Sequence, residues 1–222
     1  FRGVAVVVRS SAPGEDSAQA SFAGLHESFV NVRGTDAILD RIRLVWASLW
    51  SDAALLYRKE LGLDIARSAM AVIVQEIVEG DRSGVVFSVS PENPSQAVIE
   101  AVHGLNQGLV DGSVEPDRWV LDRGSGRILS HRSAARQKAL YAVDSGVEAR
   151  PLPAALAATP PLDPEEVLLV FRTVLDVERF FGSPQDVEWT IRSGRLCLLQ
   201  ARPITTGGPS AAGDPRAWNL TL

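Results

Sequence analysis

Asp186-Val187-Glu188-Trp189-Thr190-Ile191, Arg192-Ser193-Gly194-Arg195 and Leu196-Cys197-Leu198-Leu199-Gln200-Ala201-Arg202-Pro203 follow one another near the end of the sequence. In the first run Asp186, Glu188 and Thr190 fall on one side and Val187, Trp189 and Ile191 on the other. That is the period of a half-buried strand. The last run alternates as well, with Leu198, Gln200 and Arg202 against Cys197, Leu199 and Ala201. Ser-Gly between two such runs marks a hairpin. A two-residue loop at Ser193-Gly194 sets Glu188 opposite Leu199 and mixes a polar face with an apolar one. A three-residue loop, Arg192-Ser193-Gly194, restores the match and asks for a left-handed third residue, where Gly194 stands. Asp186 then faces Gln200, with Glu188 diagonal to it at roughly 7–8 Å. Two carboxylates, a carboxamide oxygen and a guanidinium share that face. Hard oxygens suit Mg²⁺, and an arginine beside them suits phosphate. A salt-bridged, solvated sheet face fits the same spacing, so spacing alone leaves both readings open.

The 222 residues are 45% apolar and 22% charged, enough for one large domain or two small lobes with a sizeable core. A formal charge of −5 gives a nucleic-acid partner no global support. Cys197 is the single cysteine, which excludes a disulfide framework and a zinc cluster. No stretch has the length of a membrane span and no signal peptide is present, so the expected compartment is the cytoplasm. The sequence starts at Phe1 and enters a strand almost at once, which reads as a piece of something longer.

Val4 to Val8 reads as a buried strand ending at Arg9, and the polar turn-rich stretch Ser10–Ser17 follows it. Arg9 beside small residues suits either phosphate or an ordinary loop. Glu27 to Val32 suggests a short strand. Thr35 and Asp36 open a helix carrying Ile38, Ile42, Val45, Trp46 and Leu49, and Ser51-Asp52 opens a second to about Leu61. Trp46 and Trp50 read as core. Met70 to Val78 is a second buried run, followed by strands at 85–89 and 97–102. A hairpin about Gly124-Ser125-Gly126 comes next. Neither a Walker loop nor a dinucleotide fingerprint is present. Residues 133–162 are weakly patterned and read as a surface excursion. Asp163-Pro164-Glu165-Glu166 is a capping box with proline in the first turn, opening a helix that Gly182 stops. Residues 206–222 read as a flexible linker and tail.

Three ordered blocks carry a resemblance: Val8-Arg9-Ser10-Ser11-Ala12 through Ser21-Phe22-Ala23-Gly24; Val74-Gln75-Glu76-Ile77-Val78 through Ser83-Gly84-Val85-Val86-Phe87-Ser88; and Asp186-Val187-Glu188-Trp189 with Leu199-Gln200-Ala201-Arg202-Pro203. Together the chain resembles the N-terminal nucleotide-binding domain of the phosphoenolpyruvate synthase and pyruvate phosphate dikinase family. Rifamycin phosphotransferases share the blocks. The resemblance implies an α+β fold of the ATP-grasp kind over residues 1–205, with the N-terminal part of the clamp missing.

The cofactors it implies are ATP and Mg²⁺. Arg9 would meet the phosphoryl groups, and Ser21 to Gly24 would belong to the loop over them. Gln75, Glu76 and Ile77 would form the hinge whose backbone reads adenine, with Glu79 near the ribose. Glu188 and Gln200 would hold Mg²⁺, and Asp186 and Arg202 would support metal and phosphate. The parent enzyme would be a phosphotransferase. It would pass a phosphoryl group to a histidine on a carrier domain and then to pyruvate on a further domain, and this piece would be inactive alone. An antibiotic phosphotransferase and a non-catalytic nucleotide-sensing module are the alternatives. Two departures stand out. The family lysine that lies upstream of the Arg9 strand has no counterpart here. Gly104-Leu105-Asn106-Gln107 stands where the family often reads Gly-Leu-Gly-Glu, which removes a carboxylate.

Overall fold

The computed structural model describes residues 3–11, 16–17, 20–21, 26–60, 62, 64, 68–144 and 146–204. They divide between two compact units, the first drawn from residues 3–77 and 142–147, the second from 78–141 and 148–204.

In the first unit, β1 (Val6–Ser11) is followed by the short strands β2 (Asp16–Ser17) and β3 (Ala20–Ser21), which pair with each other. Then come β4 (Ser28–Val32), the helices α1 (Thr35–Ser48) and α2 (Asp52–Glu60), and β5 (Ala71–Glu76). β1 lies between β4 and β5, antiparallel to both. Its β-branched residues Val6 and Val8 are fully buried against Ile38 and Val45 of α1, with Ile42 half-buried beside them. The tryptophan expectation fails: Trp46 and Trp50 are 50% and 53% exposed. Ile38, Ile42 and Val45 already fill the inward stripe of α1, and the Trp46 indole N–H instead donates to Met70 O at 3.2 Å. The run at Met70–Val78 is also less buried than its composition suggests. β5 is an edge strand with Val72 and Val74 turned to the core and Ala71 and Ile73 exposed. One helix layer covers one face of a small sheet, so a run of apolar residues there cannot be buried on both sides.

The second unit begins with β6 (Arg82–Phe87) and β7 (Gln96–His103), then α3 (Gln107–Val110), β8 (Asp117–Asp122) and β9 (Ile128–Arg132). A hairpin of β10 (Lys138–Ala142) and β11 (Val147–Pro151), whose tip Ala142–Val147 belongs to the first unit, precedes α4 (Ala154–Ala157), α5 (Pro164–Phe181), β12 (Gln185–Arg192) and β13 (Arg195–Pro203). The stretch 133–162 is therefore not a patternless excursion. Ala139 and Leu140 are buried, and Leu140 O accepts the Leu105 N–H at 2.9 Å.

Six strands make one antiparallel sheet in the order β13-β12-β6-β7-β8-β9. α5 covers one face, packing Val167, Val170, Phe171 and Val174 over Val86, Ile99, Trp119, Val187 and Trp189. Its capping box is complete: Asp163 accepts the Glu166 N–H at 2.8 Å and Glu166 accepts the Asp163 N–H at 3.2 Å. The helix is thus anchored at its start and lies across the strands that carry the polar face.

Candidate functional site

The hairpin forms with Glu188 directly opposite Gln200 and Asp186 opposite Arg202. The shared face expected from alternation is present, but it arises differently. The loop has two residues, not three: Arg192 pairs with Arg195, and Ser193 and Gly194 both have positive φ, 51° and 75°. That is the two-residue turn whose twist matches its strands. The register then shifts between Glu188 and Trp189, where Leu199 is the extra residue of a bulge. The bulge restores the parity that the short loop would have spoiled.

It also reverses part of the expected facing. Directly opposed residues point to the same side of a sheet. Cys197, paired with Thr190, therefore leaves the core face, and Leu198, paired with Trp189, joins it. Leu198 is nonetheless 45% exposed, because it lies on an edge strand beyond the cover of α5.

Val187, Trp189 and Ile191 are buried as their alternation requires. Thr190 is buried too, on the opposite face. Its hydroxyl lies 2.7 Å from Ser83 Oγ, which donates to Gly104 O at 2.7 Å. Along one transverse row the polar face carries Gln200, Glu188, Val85, Glu100 and Arg118. Burial pushes the Glu100 carboxyl above its ordinary pKa, against the opposing pull of Arg118 and Arg132. Glu188 is about one-fifth exposed. Arg202 Nη2 approaches its Oε1 at 3.6 Å, and Asn106 Nδ2 donates to its Oε2 at 3.4 Å.

Asn106 reaches Glu188 because the chain leaves β7 through a tight corner. Gly104 N–H donates to Asp81 O, and a Cβ on Gly104 would lie 2.4 Å from Leu140 O. Asn106 appeared in the sequence only as a departure from a family pattern. Its neighbourhood with Glu188 had no local signal.

The donor chemistry fits Mg²⁺. Glu188, Gln200 and Asp186 offer carboxylate and carboxamide oxygens on neighbouring strands. Among the described residues no cluster of three or more His, Cys, Asp or Glu is placed to hold a metal. A site with few carboxylates suits an ion that keeps waters and takes its other oxygens from a phosphate chain.

In the first unit Arg9 lies on β1, paired with Ser28 and Ile73, and is partly buried. Gln75 and Glu76 end β5, and the Ile77 N–H donates to Ala5 O at 3.0 Å. Alternation then turns the N–H and C=O of Glu76 to the outer edge of β5, away from β1. Glu79 is exposed in the connection to β6. The backbone of Ser21 lies in β3, while Gly24 and the linker at 206–222 lie outside the described residues.

Two of the three histidines are committed elsewhere. His103, buried, sits 3.2 Å from Thr159 O; His131 stacks on Trp119 with ring centroids 4.3 Å apart and lies 2.7 Å from Asp117 Oδ2. Among the described residues no helix is long and apolar enough to cross a membrane.

Comparison with known proteins places the chain among relatives of one family. The pattern of a family described as "Pyruvate phosphate dikinase, AMP/ATP-binding domain" matches residues 2–217. A probable phosphoenolpyruvate synthase of Methanothermobacter thermautotrophicus is 37% identical over 92% of this chain and 30% of its own length. A rifampicin phosphotransferase of Bacillus subtilis is 37% identical over 91% of this chain and 23% of its own length. A phosphoenolpyruvate synthase of Aeropyrum pernix is 36% identical over 90% and 28%. The chain thus spans less than a third of the length of these relatives. With the match covering nearly the whole sequence, the chain belongs to the pyruvate phosphate dikinase AMP/ATP-binding domain family.

Proposed function

We propose that the chain binds Mg·ATP as the ATP-grasp-like nucleotide domain, residues 1–205, of a phosphoenolpyruvate-synthase-like dikinase. The observation that carries this is the pairing of Glu188 with Gln200, flanked by Asp186 and Arg202, on a chain of this family. Glu188 and Gln200 hold the metal with Asp186 in support, and a bound Mg²⁺ would neutralise phosphate charge. Arg9 and Arg202 add fixed positive charge where phosphoryl transfer develops negative charge, the larger part of such catalysis. The outward N–H and C=O of Glu76, between Gln75 and Ile77, read the adenine edge. Ser21 and Gly24 belong to the loop over the phosphates, and Glu79 meets the ribose.

The phosphoryl group passes to a histidine on a separate carrier domain and then to pyruvate, so this piece does not turn ATP over alone. The engagement of His103 and His131 supports an acceptor elsewhere. A cytoplasmic setting without nucleic-acid or membrane partners belongs to the same reading. Synthases and an antibiotic phosphotransferase are matched at equal identity, so a rifamycin-type acceptor is the second reading, the choice being made outside this domain.

Calorimetric titration with ATP, with and without Mg²⁺, tests the site. Glu188→Ala and Gln200→Ala should each lower the Mg²⁺-dependent gain in affinity about tenfold, some 1.4 kcal/mol, and leave metal-free binding unchanged. Binding indifferent to both substitutions would point to the sensing module instead. Arg9→Ala should weaken ATP more than AMP, since its guanidinium meets phosphates while backbone reads the base. Equal losses for the two nucleotides would contradict that division.

A further inference from the structure

Asn106 begins α3, where an asparagine ordinarily turns its side-chain oxygen back onto the helix N–H groups. Here the side chain makes no such cap. It is 8% exposed and directs Nδ2 at Glu188 Oε2, 3.4 Å away, across 82 residues of sequence. The opposite amide orientation would set oxygen against a carboxylate oxygen, so the donor must point this way. The cost is visible at the other end of the amide: Oδ1 is buried and meets no donor among the described residues. A buried polar atom left unpaired is unfavourable. The backbone of Asn106 is already helical (φ −64°, ψ −22°), not the extended conformation from which a cap forms, and the side chain is directed to the carboxylate instead.

We infer that Asn106 is a positioning residue for the metal site: its amide fixes one oxygen of Glu188 while Arg202 faces the other. The inference rests on the proposed reading of Glu188 as a metal ligand. A carboxylate held on both oxygens presents one orientation, and partners that orient a ligand in this way commonly govern metal affinity. Gly104 and the Leu105–Leu140 bond give the asparagine a fixed base. The carboxamide also adds no negative charge beside Glu188, in contrast to an aspartate at the same place.

The experiment uses the 222-residue chain and reads ATP binding at zero Mg²⁺ and at saturating Mg²⁺, together with thermal melting. Asn106→Leu keeps the volume and removes both the donor and the unpaired oxygen; Asn106→Ala, which cannot overpack, serves if leucine disrupts folding. The expected result is unchanged metal-free affinity, a Mg²⁺-dependent gain reduced about tenfold, and a melting temperature no lower for Asn106→Leu. In a Glu188→Asp background, where the carboxylate is withdrawn from the amide, Asn106→Leu should cost nothing further. A full Mg²⁺ gain in Asn106→Leu and Asn106→Ala overturns the inference and leaves the metal site standing. An equal loss with and without metal overturns it as well, since Asn106 would then act on nucleotide or fold. Absence of any Mg²⁺ gain in the unmodified chain removes the metal reading and the inference together.

Discussion

Asp117→Asn is expected to destabilise the second unit by about 3–5 kcal/mol at neutral pH, the usual cost of removing one partner from a buried ion pair. The Asp117 side chain has no exposure. It receives Arg136 Nε at 2.8 Å and Nη2 at 2.6 Å, the Ala134 N–H at 3.2 Å, and His131 Nε2 at 2.7 Å. Asparagine keeps the shape but removes the charge, leaving the Arg136 guanidinium, 10% exposed, without its counter-ion. Burial pushes the Asp117 carboxyl up, and the hydrogen bonds from Arg136, His131 and Ala134 together outweigh that and leave it below the ordinary carboxylate value.

A depressed folded-state pKa contributes stability above the unfolded-state value, and that contribution is lost as pH falls through the folded-state value. The unmodified chain should therefore lose stability steeply below the ordinary carboxylate range, and Asp117→Asn should flatten that part of the profile. Denaturation midpoints measured from pH 7 down to pH 3 check both statements. Identical slopes for the two proteins would remove Asp117 from the acid response.

Gly84→Ala is expected to lower stability by about 3 kcal/mol, the upper end of the usual overpacking cost. Gly84 lies on β6 between Trp189 of β12 and Ala101 of β7. A Cβ there would lie 2.0 Å from Glu100 O and 2.5 Å from Trp189 Cζ2. The carbonyl belongs to the strand ladder and cannot withdraw, and the indole is fully buried in the α5 core. Relief therefore requires β6 to part from β7 or Trp189 to leave the core, and either displaces the strand that carries Glu188. Chemical denaturation should show a lowered midpoint, accompanied by a red-shifted tryptophan emission if the indole is what gives way. A midpoint within error of the parent protein would show that the sheet has slack at this crossing.

Sequence alone determined the faces of β12, because alternation is a property of the strand itself: Val187, Trp189 and Ile191 are buried, and Asp186 and Glu188 share the other side. It determined the start of α5 for the same reason, since the Asp163–Glu166 box closes within one turn. The three motif blocks determined the family. Tertiary structure decided what depends on partners distant in the chain. The hairpin pairs through a two-residue turn plus a bulge at Leu199, a combination that strand parity alone could not separate from a longer loop. That bulge exchanged the faces of Cys197 and Leu198. The fate of Trp46 depended on how much helix face the small β4-β1-β5 sheet could cover, and Ile38, Ile42 and Val45 filled it first; Trp50 falls in the turn after α1. Asn106 met Glu188 only because the corner at Gly104 seals against Asp81 and Leu140, contacts whose sequence separation no local pattern encodes. Short-range periodicity fixes which way a side chain faces; register and neighbours are fixed by the packing of whole strands against one another.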